Sequence, residues 1–382
     1  MKDIKVRNLD SINMMRGLAI LMVISVHTVQ QIQGSFILRS IGLYGMMGVQ
    51  MFFVISAFTL CYSMDNKPNQ TISIFYLKRY LRIAPVYYLG ILMYLFIDIL
   101  SRYFGFINKT GYDYSLLNIL VNISFLNGLY IPANNNIVPG GWSIGTEMIF
   151  YLVFPALFWI FNKFIAIKNH LILLPLIILL VSILIHFSIR TIDSNFSNNQ
   201  TFYYYNIFNQ IPVFSIGISL YYLYKNDILK KIRLSHAVVL FIFFTLLSTT
   251  MLFIGSEKLT FFDVLVPFSS GLSFAFVFVL LQYHIKFKSE ILSNLGIYSF
   301  SAYIIHFIFA VYLSSYLVKK LNFIQDSNLM FIVLLFTSSC ITFFAAKFMY
   351  EHLETKFNKI SIRIVKQFSD KNKDGLKNKK ID

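Results

Sequence analysis

Long apolar runs alternate with short polar stretches along almost the whole chain. The runs lie at 12–31, 42–63, 85–103, 116–131, 143–161, 170–189, 205–223, 236–254, 263–283, 294–317 and 328–350. Most have the length of about 20 residues that an α-helix needs to cross a bilayer while satisfying its own backbone hydrogen bonds. The pattern therefore predicts an all-α polytopic membrane protein. The run at 116–131 is the weakest, because it is short and contains Asn118, Asn122 and Asn127.

The distribution of lysine and arginine decides whether 116–131 crosses the membrane, because basic residues collect on the cytoplasmic side. Basic residues cluster near 78–82, 163–168, 225–233 and 286–288 and in the C-terminal tail. If 116–131 dips into the membrane and returns, all these clusters share the side of the N-terminus, and only Lys319 and Lys320 are left outside. The sequence therefore predicts about ten transmembrane helices, a short membrane-dipping segment near 116–131 and two cytoplasmic termini.

Composition agrees with this picture. Residues are 57% hydrophobic and only 13% charged, whereas a soluble protein carries about 25% charged residues. We expect one transmembrane domain, 1–350, and a basic tail, 351–382. The first run continues past His27 without a small-residue cleavage site, so we expect it to be retained rather than removed as a signal peptide. Cys61 and Cys340 lie in apolar runs and match neither a disulfide framework nor a metal pattern, so no metal is expected.

The net charge of +16 could suggest nucleic-acid binding, but its distribution argues against that class. Much of the charge lies in the tail, at Lys356, Lys359, Arg363, Lys366, Lys371, Lys373, Lys377, Lys379 and Lys380. Apolar residues recur there at helical spacing, at Leu353, Phe357, Ile360, Ile364 and Phe368. Two interpretations stay open. One is an amphipathic helix on anionic membrane lipid followed by a disordered end, and the other is a solvated cytoplasmic tail.

Arg16 and His27 lie within one apolar run, RGLAILMVISVH. Eleven helical steps bring them to within about 20° of the same face and about 16 Å apart along the axis. Ionisable groups inside a span usually face the bundle interior or a water-filled path. The spacing indicates a polar track from an anion-attracting arginine near the cytoplasm to an acid–base histidine in the outer half. The structural alternative is that Arg16 snorkels to the interface and His27 caps a polar cluster.

Five segments carry a resemblance to a known family. They are LDSINMMRGLAILMVISVH, GVQMFFVISAFTL, FYLKRYLRIAPVYY, GGWSIGTEMIFYLVFP and GIYSFSAYIIHFIF. Taken in this order, they resemble motifs of the membrane-bound acyltransferase 3 family, with Ala57 where a glycine is usual. The family's additional extracellular hydrolase-like domain has no counterpart in this sequence.

The resemblance implies an O-acyltransferase of the bacterial cytoplasmic (inner) membrane. Such an enzyme would take an acyl group, most often acetyl, from cytoplasmic acetyl-CoA or another acyl-CoA. The acceptor would be a hydroxyl of an outward-facing glycan, such as O-antigen, capsule, exopolysaccharide or a cell-wall sugar. Direct transfer and an acyl-enzyme intermediate both stay open.

Acyl transfer to a hydroxyl needs a general base, and histidine suits this role near neutral pH. We therefore predict that His27 is the base. Glu147 is one of very few acids within an apolar run, and we predict that it orients His27 or binds the acceptor. The alternative for Glu147 is a helix-terminal carboxylate favoured by the helix dipole.

The donor carries several phosphates, for which arginine is well suited. Arg79 and Arg82 are predicted phosphate ligands, together with Lys78, while Arg16 would meet the donor from the neighbouring span. The alternative is that Lys78, Arg79 and Arg82 are ordinary positive-inside charges, which explains Lys78 well.

Three further residues are candidates for the acceptor site. Trp142 and Tyr151 could stack on sugar rings, or they could be interfacial aromatic residues. His306 could line a pore or make an internal hydrogen bond. A transporter or glycan exporter is the alternative function, but it would call for paired charges near the bilayer midplane, and Asp98 has no obvious partner in the sequence. A non-catalytic membrane scaffold would leave the Arg16–His27 alignment without a role.

Overall fold

The computed structural model describes residues 10–33, 37–67, 70–104, 113–165, 171, 173–192, 204–254 and 262–378. These residues are almost entirely helical, and no strand occurs among them. The helices of the first half are α1 (Asp10–Val29), α2 (Ile37–Tyr44), α3 (Gly48–Asp65), α4 (Ile72–Tyr103), α5 (Leu116–Ile123), α6 (Gly141–Ile165) and α7 (Leu173–Ile192). Those of the second half are α8 (Ile207–Lys225), α9 (Leu234–Ile254), α10 (Phe262–Val279), α11 (Glu290–Ile297), α12 (Ser299–Phe307), α13 (Ser314–Lys320), α14 (Ser327–Met349) and α15 (Thr355–Asn378).

Helices occupy all ten of the runs that were predicted to cross. Within the described ranges, eight helical segments are long and apolar enough to span a membrane. The other two predicted runs correspond to α7, whose apolar part Leu173–Ile189 is shorter, and to α8, which buries polar side chains such as Asn209 and Gln210. The chain is thus an all-α polytopic membrane protein, as predicted.

The segment at 116–131 does not form a spanning helix. Its only α-helix, α5, has eight residues and is therefore about 12 Å long, less than half of the hydrocarbon core. Asn122, Asn127 and Asn134 are buried, and they satisfy polar groups of the irregular chain that follows. Tyr87 donates to Oδ1 of Asn122 at 2.8 Å, and Nδ2 of Asn127 donates to the Gly141 carbonyl at 3.0 Å. The asparagines that weaken the apolar run thus stabilise non-helical backbone inside the protein.

Helix α1 lies at the centre of the bundle, where it packs against α3, α11, α12 and α14. Its approach to α11 is especially close. A Cβ atom added to Gly296 would lie 1.8 Å from the carbonyl oxygen of Asn13, and one added to Gly17 would lie 2.2 Å from that of Leu292. Only glycine permits such contacts, because any larger residue would place a carbon atom inside the neighbouring backbone.

The predicted amphipathic helix of the tail is present as α15, which packs along α4. Val365 is buried against the protein, whereas Ile360, Ile364 and Phe368 remain exposed. The side chains from residue 369 onward, including the predicted basic cluster at 371–380, lie outside the described part of the structure. The division into 1–350 and 351–382 and the contact of this helix with membrane lipid stay predictions.

Candidate active site

A polar cavity lies where α1, α3, α4, α6 and α12 meet. Its volume is about 90 Å³. The charged and polar side chains that line it are Arg16, Ser56, Thr59, Arg79, Arg82, Ser143, Glu147, Tyr151, Ser299 and Tyr303. The structure therefore brings together five of the nine residues that the sequence predicts as site residues.

Three arginines dominate the charge of this cavity. Within the described residues, Arg16, Arg79 and Arg82 form no ion pair, and Glu147 is the only carboxylate in the lining. The Arg79 guanidinium lies 5.8 Å from the Phe75 ring centroid and 5.9 Å from that of Tyr151, and its Nε is buried without a hydrogen-bond partner in the described part. This excess of positive charge is suited to a ligand with several negative charges.

Glu147 bonds to two hydroxyl groups rather than to a histidine. Its Oε1 accepts from Tyr151 at 2.5 Å and from Ser56. No hydrogen bond joins Glu147 to His27 among the described residues, so the geometry does not support the expectation that Glu147 orients His27, and the alternative that it binds the acceptor stays a prediction. The reason is the irregular chain before α6, which starts that helix inside the protein. Glu147 consequently lines the same cavity as Arg16, about three helical turns of α1 away from His27.

His27 lies outside the cavity, beside His306. The ring centroid of His27 is 5.4 Å from that of His306 and 4.1 Å from that of Phe307. Nδ1 of His27 bonds to Oε1 of Gln30 at 3.2 Å. Gln30 was missed in the sequence analysis, although its position three residues after His27, directly after the last residue of α1, is a recognisable signal.

Tyr303 connects the cavity to the two histidines. It lines the cavity, and its ring centroid is 5.2 Å from that of His306. Its hydroxyl group donates to the Gly140 carbonyl at 3.1 Å and bonds to Ser143 at 2.7 Å. A continuous row of polar aromatic side chains therefore runs from the arginine cavity through Tyr303 and His306 to His27.

The family model described as an acyltransferase domain, of the acyltransferase 3 type, matches residues 9–347. The chain belongs to the acyltransferase 3 family. The matched region contains the three arginines, Glu147 and both histidines, and it ends before the π-helical turn Tyr350–Glu354 and α15. No curated protein and no solved structure matches the chain.

Besides the two histidines, two further predicted site residues of this acyltransferase lie away from the cavity lining. Lys78 donates to Oε1 of Gln70 at 2.7 Å. Trp142 is 5% exposed, and its ring is stacked on Tyr205 with a centroid distance of 4.3 Å and an interplanar angle of 16°. A sugar would have to displace this packing to stack on Trp142, so its place in an acceptor site stays a prediction.

Asp98 also has a partner that was not evident in the acyltransferase sequence. Its Oδ2 lies 2.9 Å from Nε of Arg102, one turn further along α4. This pair joins two residues of one helix, and Arg102 lies half-exposed in its last turn, so it is not the pairing of charges near the bilayer midplane that the exporter alternative calls for.

Proposed function

We propose that this acyltransferase moves an acyl group, specifically acetyl, from acyl-CoA to a hydroxyl of a glycan outside the cytoplasm. The observation that carries the proposal is the cavity in which Arg16, Arg79 and Arg82 converge without an ion-pair partner among the described residues. Acyl-CoA combines a polyphosphate end with a long uncharged arm that ends in the thioester. The three guanidinium groups can donate charge-assisted hydrogen bonds to the phosphates. The uncharged arm could span the distance from the arginines to His27.

The path of the donor follows from this placement. The phosphates remain at the arginines while the arm passes Tyr303 and carries the thioester towards His27, about 16 Å from Arg16 along α1. Nε2 of His27 then accepts the proton of the acceptor hydroxyl, whose oxygen attacks the thioester carbonyl. The carbon–sulfur bond breaks, and the CoA sulfur receives the proton from His27. The acyl group ends on the glycan without the glycan crossing the membrane.

Sidedness is part of the proposal. The positive-inside distribution supports cytoplasmic termini, with the Asp10 end of α1 at the cytoplasmic surface and the bacterial inner membrane as the location. A maleimide applied to intact cells should therefore fail to label single cysteines introduced at Lys373 or Lys377, and should label them after permeabilisation. Efficient labelling of intact cells would place the C-terminal tail outside the cell and contradict the proposed orientation.

The function is tested by comparing surface glycans from cells with the wild-type protein, with His27→Ala and without the protein. Alkali-labile acyl groups should appear only with the wild-type protein, while the amount of glycan stays constant. Loss of the glycan itself in cells without the protein would favour the exporter. In parallel, isothermal titration of the purified protein with CoA should detect binding to the wild-type protein and to His27→Ala alike.

A further inference from the structure

Helix α15 lies beyond the residues that match the family domain, yet it contacts the helix that carries two of the donor-site arginines. The match ends at residue 347, and α15 packs along α4. Two hydrogen bonds of this C-terminal segment lie in the neighbourhood of Arg82, one from Ser361 to the carbonyl of Leu81 and one from Ser301 to Glu354.

The first contact involves a backbone carbonyl of α4 that lacks its helical hydrogen bond. Pro85 lies inside α4 and has no N–H group, so the Leu81 carbonyl lacks the donor that would normally bond to it four residues later. The single proton of the Ser361 hydroxyl, from α15, is shared between this carbonyl at 3.1 Å and the Phe357 carbonyl of its own helix at 2.8 Å. The carbonyl stabilised in this way belongs to the residue directly before Arg82.

The second contact is a buried carboxylate near the Arg82 guanidinium. Glu354 ends the π-helical turn that joins α14 to α15 and is only 7% exposed. Its Oε2 accepts from the Ser301 hydroxyl at 2.7 Å. No ion pair joins Glu354 to Arg82 among the described residues, so Glu354 acts on Arg82 only as a nearby opposite charge. Ser299 and Phe300, immediately before Ser301, line the cavity.

We propose that Glu354 and Ser361 are positioning residues of the donor site, which hold Arg82 in place from a segment outside the family domain. This inference rests on the proposed function, because it assigns Arg82 to the phosphates of acyl-CoA. Glu354 does not itself reach the ligand. It holds Ser301, next to the cavity residues Ser299 and Phe300, and places a negative charge near Arg82. Ser361 contacts the backbone of α4 where Pro85 removes a hydrogen bond.

The role of Glu354 is tested by CoA affinity in a double-mutant cycle with Arg82. Glu354→Gln should raise the CoA Kd about threefold or more, and the effect should vanish in Arg82→Ala, because only coupled residues deviate from additivity. Glu351→Gln is the matched control, since Glu351 is exposed and lies 4.0 Å from Lys347. An equal effect of Glu354→Gln with and without Arg82, or none at all, would overturn the positioning role.

The role of Ser361 is tested by comparing the effect of Ser361→Ala in the presence and in the absence of Pro85. Ser361→Ala should lower both the thermal midpoint and the CoA affinity, and Ser361→Thr should restore them by returning the hydroxyl. In Pro85→Ala the backbone N–H is available again, so Ser361→Ala should then have little effect. The same loss in both backgrounds would overturn the assignment. Failure of wild-type protein to bind CoA would instead reject the proposed donor, while the thermal midpoints of this cycle would still report on the docking of α15.

Discussion

The imidazole rings of His27 and His306 lie with their centroids 5.4 Å apart, and each ring is held through its Nδ1 atom. Nδ1 of His27 bonds to Oε1 of Gln30 at 3.2 Å, and Nδ1 of His306 bonds to the Tyr303 carbonyl at 2.6 Å. Because both oxygen atoms can only accept, both Nδ1 atoms donate, and each Nε2 keeps a lone pair. Nε2 of His306 is buried without a partner in the described part. Two acceptors side by side are suited to receive a hydroxyl group.

Removal of His27 should mainly lower the rate of transfer, whereas removal of His306 should mainly raise the KM for the acceptor. His27→Ala should lower transfer by about 10²–10⁴-fold, as expected for loss of a general base, while CoA binding persists. His306→Ala should mainly raise the acceptor KM, because we assign it to binding the hydroxyl group. Initial rates at varied glycan concentration separate these effects. The control is His352→Ala, an exposed residue stacked on Phe348. A turnover number unaffected by His27→Ala would reject the assignment of the base.

Substitution of the donor-site arginines should weaken CoA binding more than substitution of the neighbouring Lys78. Arg79→Ala and Arg82→Ala should each weaken CoA binding by about tenfold or more, because losing a charge-assisted hydrogen bond costs about 1.5–3 kcal/mol. Lys78→Ala removes an equal charge from the same helix, but Lys78 bonds to Gln70 and does not line the cavity. It should therefore change affinity much less. Equal losses in titrations of all three variants would indicate a general electrostatic effect rather than a phosphate site.

Apolar runs and basic loops were sufficient to predict the helices, because the bilayer requires long apolar segments with satisfied backbones. The alignment of Arg16 with His27 was also predictable, since it depends only on the geometry of one helix. The spacing of Arg79 and Arg82 predicts that they share one side of a helix, and both line the same cavity, while their binding of phosphate stays a prediction.

The partners of these residues were harder to predict, because they depend on how separate segments pack. Hydropathy does not show at what depth in the membrane α6 begins. Glu147 was therefore expected at the depth of His27, whereas it lines the same cavity as Arg16. His27 and His306 lie close together although they are far apart in the sequence. No pattern of neighbouring residues predicts this contact. Gln30, by contrast, carried a local signal, because it follows His27 by three residues, and the sequence analysis did not use that signal.

The close contact between α1 and α11 predicts which glycines cannot be replaced. Gly296→Ala and Gly17→Ala would place Cβ within 1.8 Å and 2.2 Å of a backbone oxygen, which cannot move without separating the helices. Both variants should lower the thermal midpoint of the detergent-solubilised protein. Gly271→Ala is the control, because its Cβ would meet the end of the Ile216 side chain at 3.0 Å, which can rotate. Midpoints equal to that of the wild type would show that the helices can separate at little cost.

The contact between Gln30 and His27 predicts an effect on turnover alone. Gln30 Oε1 holds Nδ1–H of His27, which leaves Nε2 as the base. Gln30→Ala should therefore lower kcat, by less than the about 10²–10⁴-fold contribution of the base itself, and should leave the KM for acyl-CoA unchanged because the arginines are untouched. Gln30→Glu keeps an acceptor oxygen at the same position and should recover activity that Gln30→Ala loses. Gln33→Ala, in the same polar stretch, is the control for a change in helix-end polarity. The measurement is kcat and KM for the four proteins at equal thermal midpoints, and an unchanged kcat in Gln30→Ala would mean that the orientation of His27 does not depend on Gln30.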